Sequence, residues 1–517
     1  MQESVLHVEN TAEVQGSLDL SNVIKSAVFI YIGGLVTNIL GFVFWLVASS
    51  YVPPDVVGSA SAIIALQALL MTIMTIGLPT GLRRFVGKGG SEERYDLISE
   101  YFATSMGVNL LLNLPVSLIL IAAPALHYSG YGLSAIELAF VGTLILLSFW
   151  APTLVSLFDS LLKTEITALA QVLSSIVKLL LGLMMLILGY GFLGVMMAFI
   201  AASITTDSVL LYHARNMFRE FGYQPRFESD RIRELVESGL PAWIPNMLTI
   251  AGQSVAVLVI YGLVGESQTG LYYLAFAMAQ VVYTIPTSIQ SLMYPVLSGM
   301  KSGREDAIRR TTRVSLIATA PIALAVALYS EIPFSVIGPA YSDAGPLLAI
   351  LVVGAMFWSI YVGYYGYLYA IKEYRHVTGL GLVLNGTRLA LYFLLASLFG
   401  AMGVAFSFIG GILVAMIGLA FSSISIGYKP DWKKYFLAII IPSTSVILVW
   451  HLSVEWILGI PFILIWSFIL YGRLKIMTRT DIFEVFCGLF TPEKALSIAL
   501  RLRPVSRIVF GKQNVDE

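Results

Sequence analysis

The sequence predicts an all-α polytopic membrane protein. Fourteen transmembrane helices are expected, as two six-helix repeats around a central cavity plus two extra C-terminal helices. Three observations predict this class. Of 517 residues, 57% are apolar and only 12% are charged, against roughly 25% charged in an average soluble domain. Mean hydropathy is +0.83. The apolar residues fall in long runs, and a helix needs about 20 such residues to cross a hydrocarbon core of about 30 Å. The basic residues then sort to one side of those runs. A cytosolic enzyme, a secreted disulfide scaffold and a disordered chain are excluded by this composition. The lone Cys487 excludes an intrachain disulfide and a multi-cysteine metal site.

Residues 1–26 carry four acids before the first basic residue, Lys25, and no apolar core. They read as a cytoplasmic tail, not a signal peptide. Residues 27–213 form the first repeat, with spans expected at 27–50, 57–82, 98–126, 134–158, 166–189 and 193–213. A basic cytoplasmic linker occupies 214–236. Residues 237–426 form the second repeat, with spans at 237–263, 269–297, 313–338, 346–371, 377–399 and 403–426. Two more spans, 436–452 and 456–472, make up the segment 436–472. The tail at 473–517 is basic, and its stretch from Asp481 to Phe490 is amphipathic, suited to the membrane surface. A transmembrane barrel would need alternating segments of about ten residues, which these runs are not. Pro79, Pro115, Pro241, Pro245, Pro286 and Pro295 mark kinks.

Cytoplasmic loops collect Lys and Arg. Threading fourteen spans with the N-terminus inside puts every basic residue inside except Lys178 and Arg388. The outer turns hold Asp55, Glu266, Asp343 and Glu455 and no basic residue. Both termini are therefore expected in the cytoplasm of a multi-pass cell-membrane protein.

The two halves echo each other. Gly191-Phe-Leu-Gly194-Val195 through Phe199-Ile200 matches Gly400-Ala-Met-Gly403-Val404 through Phe408-Ile409 at an offset of 209. The same offset carries Lys163 onto Lys372. Phe149-Trp150 meets Phe357-Trp358 at 208, and Tyr51 and Gly58 meet Tyr261 and Gly270 at 210 and 212. At 210, Lys178 falls on Arg388. Two repeats of like orientation have their axis along the membrane normal, a known transporter arrangement.

A mid-bilayer charge costs about 2.5–3.5 kcal/mol and is kept where it faces protein interior or water. Two cations at matching depth suit an anionic substrate such as a phosphate or pyrophosphate. Arg388 is the preferred contact and Lys178 its partner. Asp207 either pairs with Lys178 or serves in coupling, and Glu331 could line an outer vestibule. Asp159 and Glu165 read as surface or gate charges. Aromatic residues crowd the tenth span, where Tyr361 and Tyr365 are candidate cavity residues alongside ordinary packing. Asn38, Asn246 and Gln253 are candidate cavity residues too, as are Asn109 and Asn113. Interhelical hydrogen bonding is the common alternative for such side chains. No phosphate-binding G-x-x-x-x-G-K-[ST] occurs, the five histidines are scattered, and no loop has room for a catalytic domain. No metal, cofactor or nucleic-acid partner is expected.

Several stretches are similar to a known family. Tyr51-Val-Pro-Pro-Asp-Val-Val-Gly58, Gly77-Leu-Pro-Thr-Gly-Leu-Arg-Arg84, Leu173-Ser-Ser-Ile-Val-Lys178 and the segment from Asp481 resemble Wzx-like polysaccharide flippases. These belong to the multidrug/oligosaccharidyl-lipid/polysaccharide exporter superfamily. The resemblance implies a non-enzymatic transporter for polysaccharide or surface-glycan assembly. It would flip a lipid-linked oligosaccharide on a polyprenyl-(pyro)phosphate from the inner to the outer leaflet by alternating access. A monomer can supply a complete two-half cavity, Asp207 and Glu331 are the candidates for coupling to a proton or sodium gradient, and polymerases or glycosyltransferases are the candidate partners. The alternative is a cation-coupled multidrug exporter of the same superfamily. The absence of Asp and Glu from 27–50 and 240–263 counts against that alternative.

Overall fold

The computed structural model describes residues 29, 33–125, 132–300 and 302–478. The tail at 1–26, Lys301 and the amphipathic stretch from Asp481 lie outside them. The described residues form helices and no β-strand. Eleven stretches are long and apolar enough to cross a membrane, and a shorter apolar helix spans Gly33–Ser49. Large apolar side chains such as Leu111, Phe399 and Phe421 are exposed, as expected of surfaces that face lipid. The chain divides into two compact units, Met1–Tyr273 and Leu274–Glu517.

The first unit contains α1 (Gly33–Ser49), α2 (Pro54–Met74), α3 (Leu78–Ser91), α4 (Tyr95–Ile121), α5 (Ala135–Leu146) and α6 (Ala151–Ser160). It continues with α7 (Thr164–Ile187), α8 (Gly191–Phe221), α9 (Asp230–Leu263) and the start of α10 (Glu266–Gly299). Two expected single spans are each built from two helices. The span at 57–82 breaks between α2 and α3, where Ile76 (φ 44°) and Gly77 (φ 75°) turn left-handed ahead of Pro79. The span at 134–158 breaks between α5 and α6, with Pro152 in the first turn of α6. A proline lacks the N–H that a continuing helix would donate, but fits a first turn.

Leu78, Leu82, Leu154, Phe158, Phe218 and Leu235 share one buried core, drawn from α3, α6, α8 and α9. Helix α9 packs along α2 and α3. At one end, glycines allow backbones to touch. A Cβ on Gly58 would strike the Glu266 carbonyl, and a Cβ on Gly270 would strike that of Pro54. Small residues let helices meet closely where lipid gives no hydrophobic drive. Beside this crossing Tyr261 donates to Glu137 at 2.7 Å, and Glu137 caps α5 together with Ser134. The start of α9 is tied to α4 by Arg231–Glu100 at 3.1 Å, and the residues before it by Glu228 N–H to Thr104 at 3.0 Å.

The second unit contains the rest of α10, then α11 (Arg304–Leu328), α12 (Ile332–Ile337) and α13 (Ala344–Ala370). It ends with α14 (Tyr374–Ile426), α15 (Trp432–His451) and α16 (Trp456–Arg473). The expected span at 313–338 does not run through. Helix α11 stops at Leu328, and Pro333 opens the short α12. Helix α13 is the most buried of the candidate spans. Helix α14 is 53 residues long and breaks at Gly400 (φ 58°, ψ −140°), a conformation that only glycine adopts without strain. Its counterpart in the first unit is Gly191 (φ 47°), between α7 and α8. The final pair packs on α11: Tyr329 donates to the Val454 carbonyl at 2.7 Å, and Ala325, Val449 and Ile463 share a small core.

One helix end recurs in both units. After α6, Lys163 N–H reaches the Phe158 carbonyl at 2.9 Å, with Leu162 left-handed (φ 56°). After α13, Glu373 N–H reaches the Leu368 carbonyl at 2.9 Å, with Lys372 left-handed (φ 64°). Both are Schellman ends, which tie off orphan carbonyls. The two ends lie 210 residues apart, one residue off the 209 that separates Lys163 from Lys372.

Candidate substrate site

The two mid-span cations adopt the same arrangement, each within its own unit. Lys178 on α7 places its Nζ 5.0 Å from the ring centre of Phe199 on α8 and 5.5 Å from that of Phe44 on α1. Arg388, in the first half of α14, places its guanidinium carbon 3.7 Å from the ring centre of Phe408, in the second half. Its Nε also donates to the Phe408 carbonyl at 3.1 Å. Phe199 and Phe408 are the matching phenylalanines of the repeated glycine motif. Such cation–π contacts contribute about 2 kcal/mol when desolvated. Neither cation forms a salt bridge among the described residues.

Arg388 is only 2% exposed, yet its Nη2 has no hydrogen-bond partner. Asn385 Oδ1 and the Tyr392 hydroxyl are also buried without partners. These three residues sit at i, i+3 and i+7 and so share one face of α14. An unsatisfied buried polar group costs about 1–3 kcal/mol. Three on one face are what a polar ligand would satisfy. Sequence reasoning singled out Arg388 and missed Asn385 and Tyr392, although their helical spacing from Arg388 was visible.

Asp207 on α8 is buried, and neither of its oxygens has a hydrogen-bond partner. It forms no ion pair with Lys178. Lys178 packs at the level of Phe199, eight residues back along α8, or about 12 Å of helix rise. The expected Asp207–Lys178 pair is therefore not made. On α13, Trp358, Tyr361 and Tyr365 stack in a ladder with ring spacings of 5.2 and 5.6 Å. Trp358 donates to Thr287 of α10 at 3.2 Å. Tyr361 is buried and Tyr365 half-buried.

The other candidates are scattered. Glu331 is exposed in the turn between α11 and α12, not inside a span, because α11 ends before it. Asn38 and Asn246 are exposed and Gln253 is half-buried, all in the first unit. Asn109 donates to Thr153 at 2.7 Å and Asn113 to the Asn109 carbonyl at 2.8 Å, the interhelical and local bonding common in membranes. Asp159 pairs with Arg83 at 3.4 Å and accepts from Thr167 at 3.1 Å. No group of three metal-binding side chains occurs among the described residues.

Residues 23–301 match the family described as polysaccharide biosynthesis protein. The chain belongs to that family. A search of curated proteins found no match. Solved structures resemble this family member in fold. The lipid II flippase MurJ, in an inward closed conformation, is 15% identical with a TM-score of 0.68. The match covers 87% of this chain and 99% of that one. A multidrug resistance MATE family transporter, inward-facing, is 13% identical at a TM-score of 0.57, covering 75% of this chain and 94% of its own. A MOP-superfamily transporter from Pyrococcus furiosus is 16% identical at a TM-score of 0.51, covering 78% and 95%. The polysaccharide biosynthesis family member therefore shares its fold with these structures. It is a multi-pass membrane protein.

Proposed function

We propose that this protein flips a lipid-linked oligosaccharide, carried on a polyprenyl-(pyro)phosphate, from the inner to the outer leaflet by alternating access. Family membership supports polysaccharide assembly as its setting. The observation that carries the substrate class is Arg388: a buried cation with no salt bridge, an unused Nη2, and the orphan polar atoms of Asn385 and Tyr392 on its face. In this reading the guanidinium takes the (pyro)phosphate. Arg suits that task because its planar fork bonds phosphate oxygens bidentately. Lys178, at the equivalent repeat position, is the second cation. The tyrosine ladder on α13 offers ring faces with polar tips to the sugars.

Fourteen spans in two repeats plus two, with both termini in the cytoplasm, belong to the same reading. The matched helix ends and glycine breaks support the repeats, and the sorting of basic residues supports the orientation. The lipid-linked substrate arrives from cytoplasmic glycosyltransferases and leaves to a polymerase, and a monomer suffices. Asp207 is the coupling candidate, since a buried carboxylate without partners needs a proton or a cation to compensate it.

The deciding experiment replaces Arg388 by Ala in a strain whose surface glycan depends on this chain. Loss of the glycan with normal membrane levels of the variant is expected. Normal glycan in that strain would remove Arg388 from the site and leave only the fold analogy, which does not establish function.

A further inference from the structure

On the two-repeat reading, α9 opens the second repeat, yet it packs along α2 and α3 of the first. This seam is why the first compact unit runs past the repeat boundary to Tyr273. All the residues that close it lie within that unit.

Near the outer end of the seam, Tyr261 of α9 is buried. Its hydroxyl donates to Glu137 Oε1 of α5 at 2.7 Å. Ser59 Oγ of α2, 3.3 Å away, can donate back to the tyrosine oxygen. Glu137 is buried too, and its other carboxylate oxygen is held by the Ser134 N–H at 2.7 Å and the Ser134 hydroxyl at 2.8 Å. The carboxylate is thus fixed to the first repeat, and the Tyr261 hydroxyl joins it to the second. Glu266 offers that hydroxyl another acceptor, longer at 3.4 Å, from the second repeat itself. Glu266 is exposed, whereas Glu137 is not. One donor therefore stands between a buried acceptor across the seam and an exposed acceptor on its own side.

The inner end of α9 is held separately. Arg231 pairs there with Glu100 of α4 at 3.1 Å, and the α9 backbone at Gly239 rests against Gly77. Loss of the outer bond frees one end of the seam and leaves the other pinned.

We propose that Tyr261 is the latch of the outer gate, an inference that rests on the alternating-access reading above. With the bond to Glu137 made, the outer ends of α2, α5 and α9 stay together. When the seam parts, the hydroxyl turns to Glu266 and the freed Glu137 oxygen takes water. A charged acceptor kept inside the closed seam without its donor is costly, because nothing replaces the water it gave up. Removing the hydroxyl therefore destabilises the closed outer seam and leaves the hydrated open one as it was. The population shifts outward by that difference.

The test measures distances between spin labels on the full-length protein in nanodiscs, with Cys487→Ser as background. Labels at the exposed Tyr51→Cys and Leu263→Cys span the outer end, and labels at the exposed Ser91→Cys and Glu237→Cys span the inner end. Tyr261→Phe keeps the ring and loses only the hydroxyl. The ratio of long to short outer distances should rise about tenfold, as expected for one lost charge-assisted bond. The inner distances should not change. Ser59→Ala, which leaves the bond to Glu137, should move the outer ratio the same way by less. An unchanged outer ratio in Tyr261→Phe would overturn the proposal, as would an inner pair that widens with the outer one. Should Tyr261→Phe not reach the membrane, the same two criteria apply to Ser59→Ala. These distances assume no cargo, which the Arg388→Ala strain tests, so the latch and the substrate assignment can fail independently.

Discussion

Arg388 and Lys178 were legible in the sequence because a charge in the middle of an apolar run has no bland explanation. Their partners were not. Phe408 lies 20 residues beyond Arg388 and Phe199 lies 21 beyond Lys178, and only the tight hairpins at Gly400 and Gly191 bring each pair together. Sequence reasoning offered an acid, Asp207, beside Lys178 and none beside Arg388, and the structure supplies aromatic rings to both. That difference sharpens the expected behaviour of variants. Phe408→Leu removes the ring but keeps the bulk and the backbone carbonyl that Arg388 bonds. It should cost about 2 kcal/mol of local stabilisation, and transport should fall less than in Arg388→Ala. Thermal unfolding in detergent and a glycan assay on the same variants would check that order. Arg388→Lys keeps the charge and loses the fork, so transport at a tenth or less of wild type would point to guanidinium geometry. Asp207→Asn removes the uncompensated carboxylate without changing its size. Substrate binding should persist and dependence on the ion gradient should disappear, measured as flipping with and without an imposed proton or sodium gradient.

At the scale of elements, apolar runs reported the helices well and their interruptions poorly. The spans at 57–82 and 134–158 are continuous in hydropathy but broken in the backbone near Pro79 and Pro152. Hydropathy averages over residues, whereas one missing N–H decides where a helix stops. The turn at Glu331 escaped for the same reason, with Pro333 two residues on. Gly58 and Gly270 were noticed as repeat landmarks, but nothing in one dimension showed that they cross each other. Gly58→Ala tests that crossing. Its new methyl would meet the Glu266 backbone, which cannot rotate away as a side chain can. Overpacking of this kind costs about 1–3 kcal/mol, so the thermal midpoint should drop. Gly34→Ala, with open space around its Cβ position, is the control and should leave the midpoint unchanged.

For the whole molecule, the fold class followed from composition and from where the basic residues lie. The span count and the orientation rest on counting loops, and labelling can test them directly. Cys487 is the only native cysteine, so one substitution clears the background. Reporter cysteines at Ser229 and Ser453 should then react with an impermeant thiol reagent from opposite sides, Ser229 from the cytoplasm and Ser453 from outside. Reaction of both from one side would overturn the topology. The packing of α9 on α2 and α3 also has a consequence for how the protein is made. Membrane proteins emerge from the ribosome N-terminus first, at about 5–20 residues per second. When α8 has entered the bilayer, the glycine faces of α2 and α3 still lack the helices they were shaped to meet. Those helices arrive with the next 52 residues, from Phe221 to Tyr273, so roughly 3–10 s later. During that interval the nascent first unit presents open grooves to lipid and to insertion factors, and it closes only when α9 and the start of α10 have been synthesised.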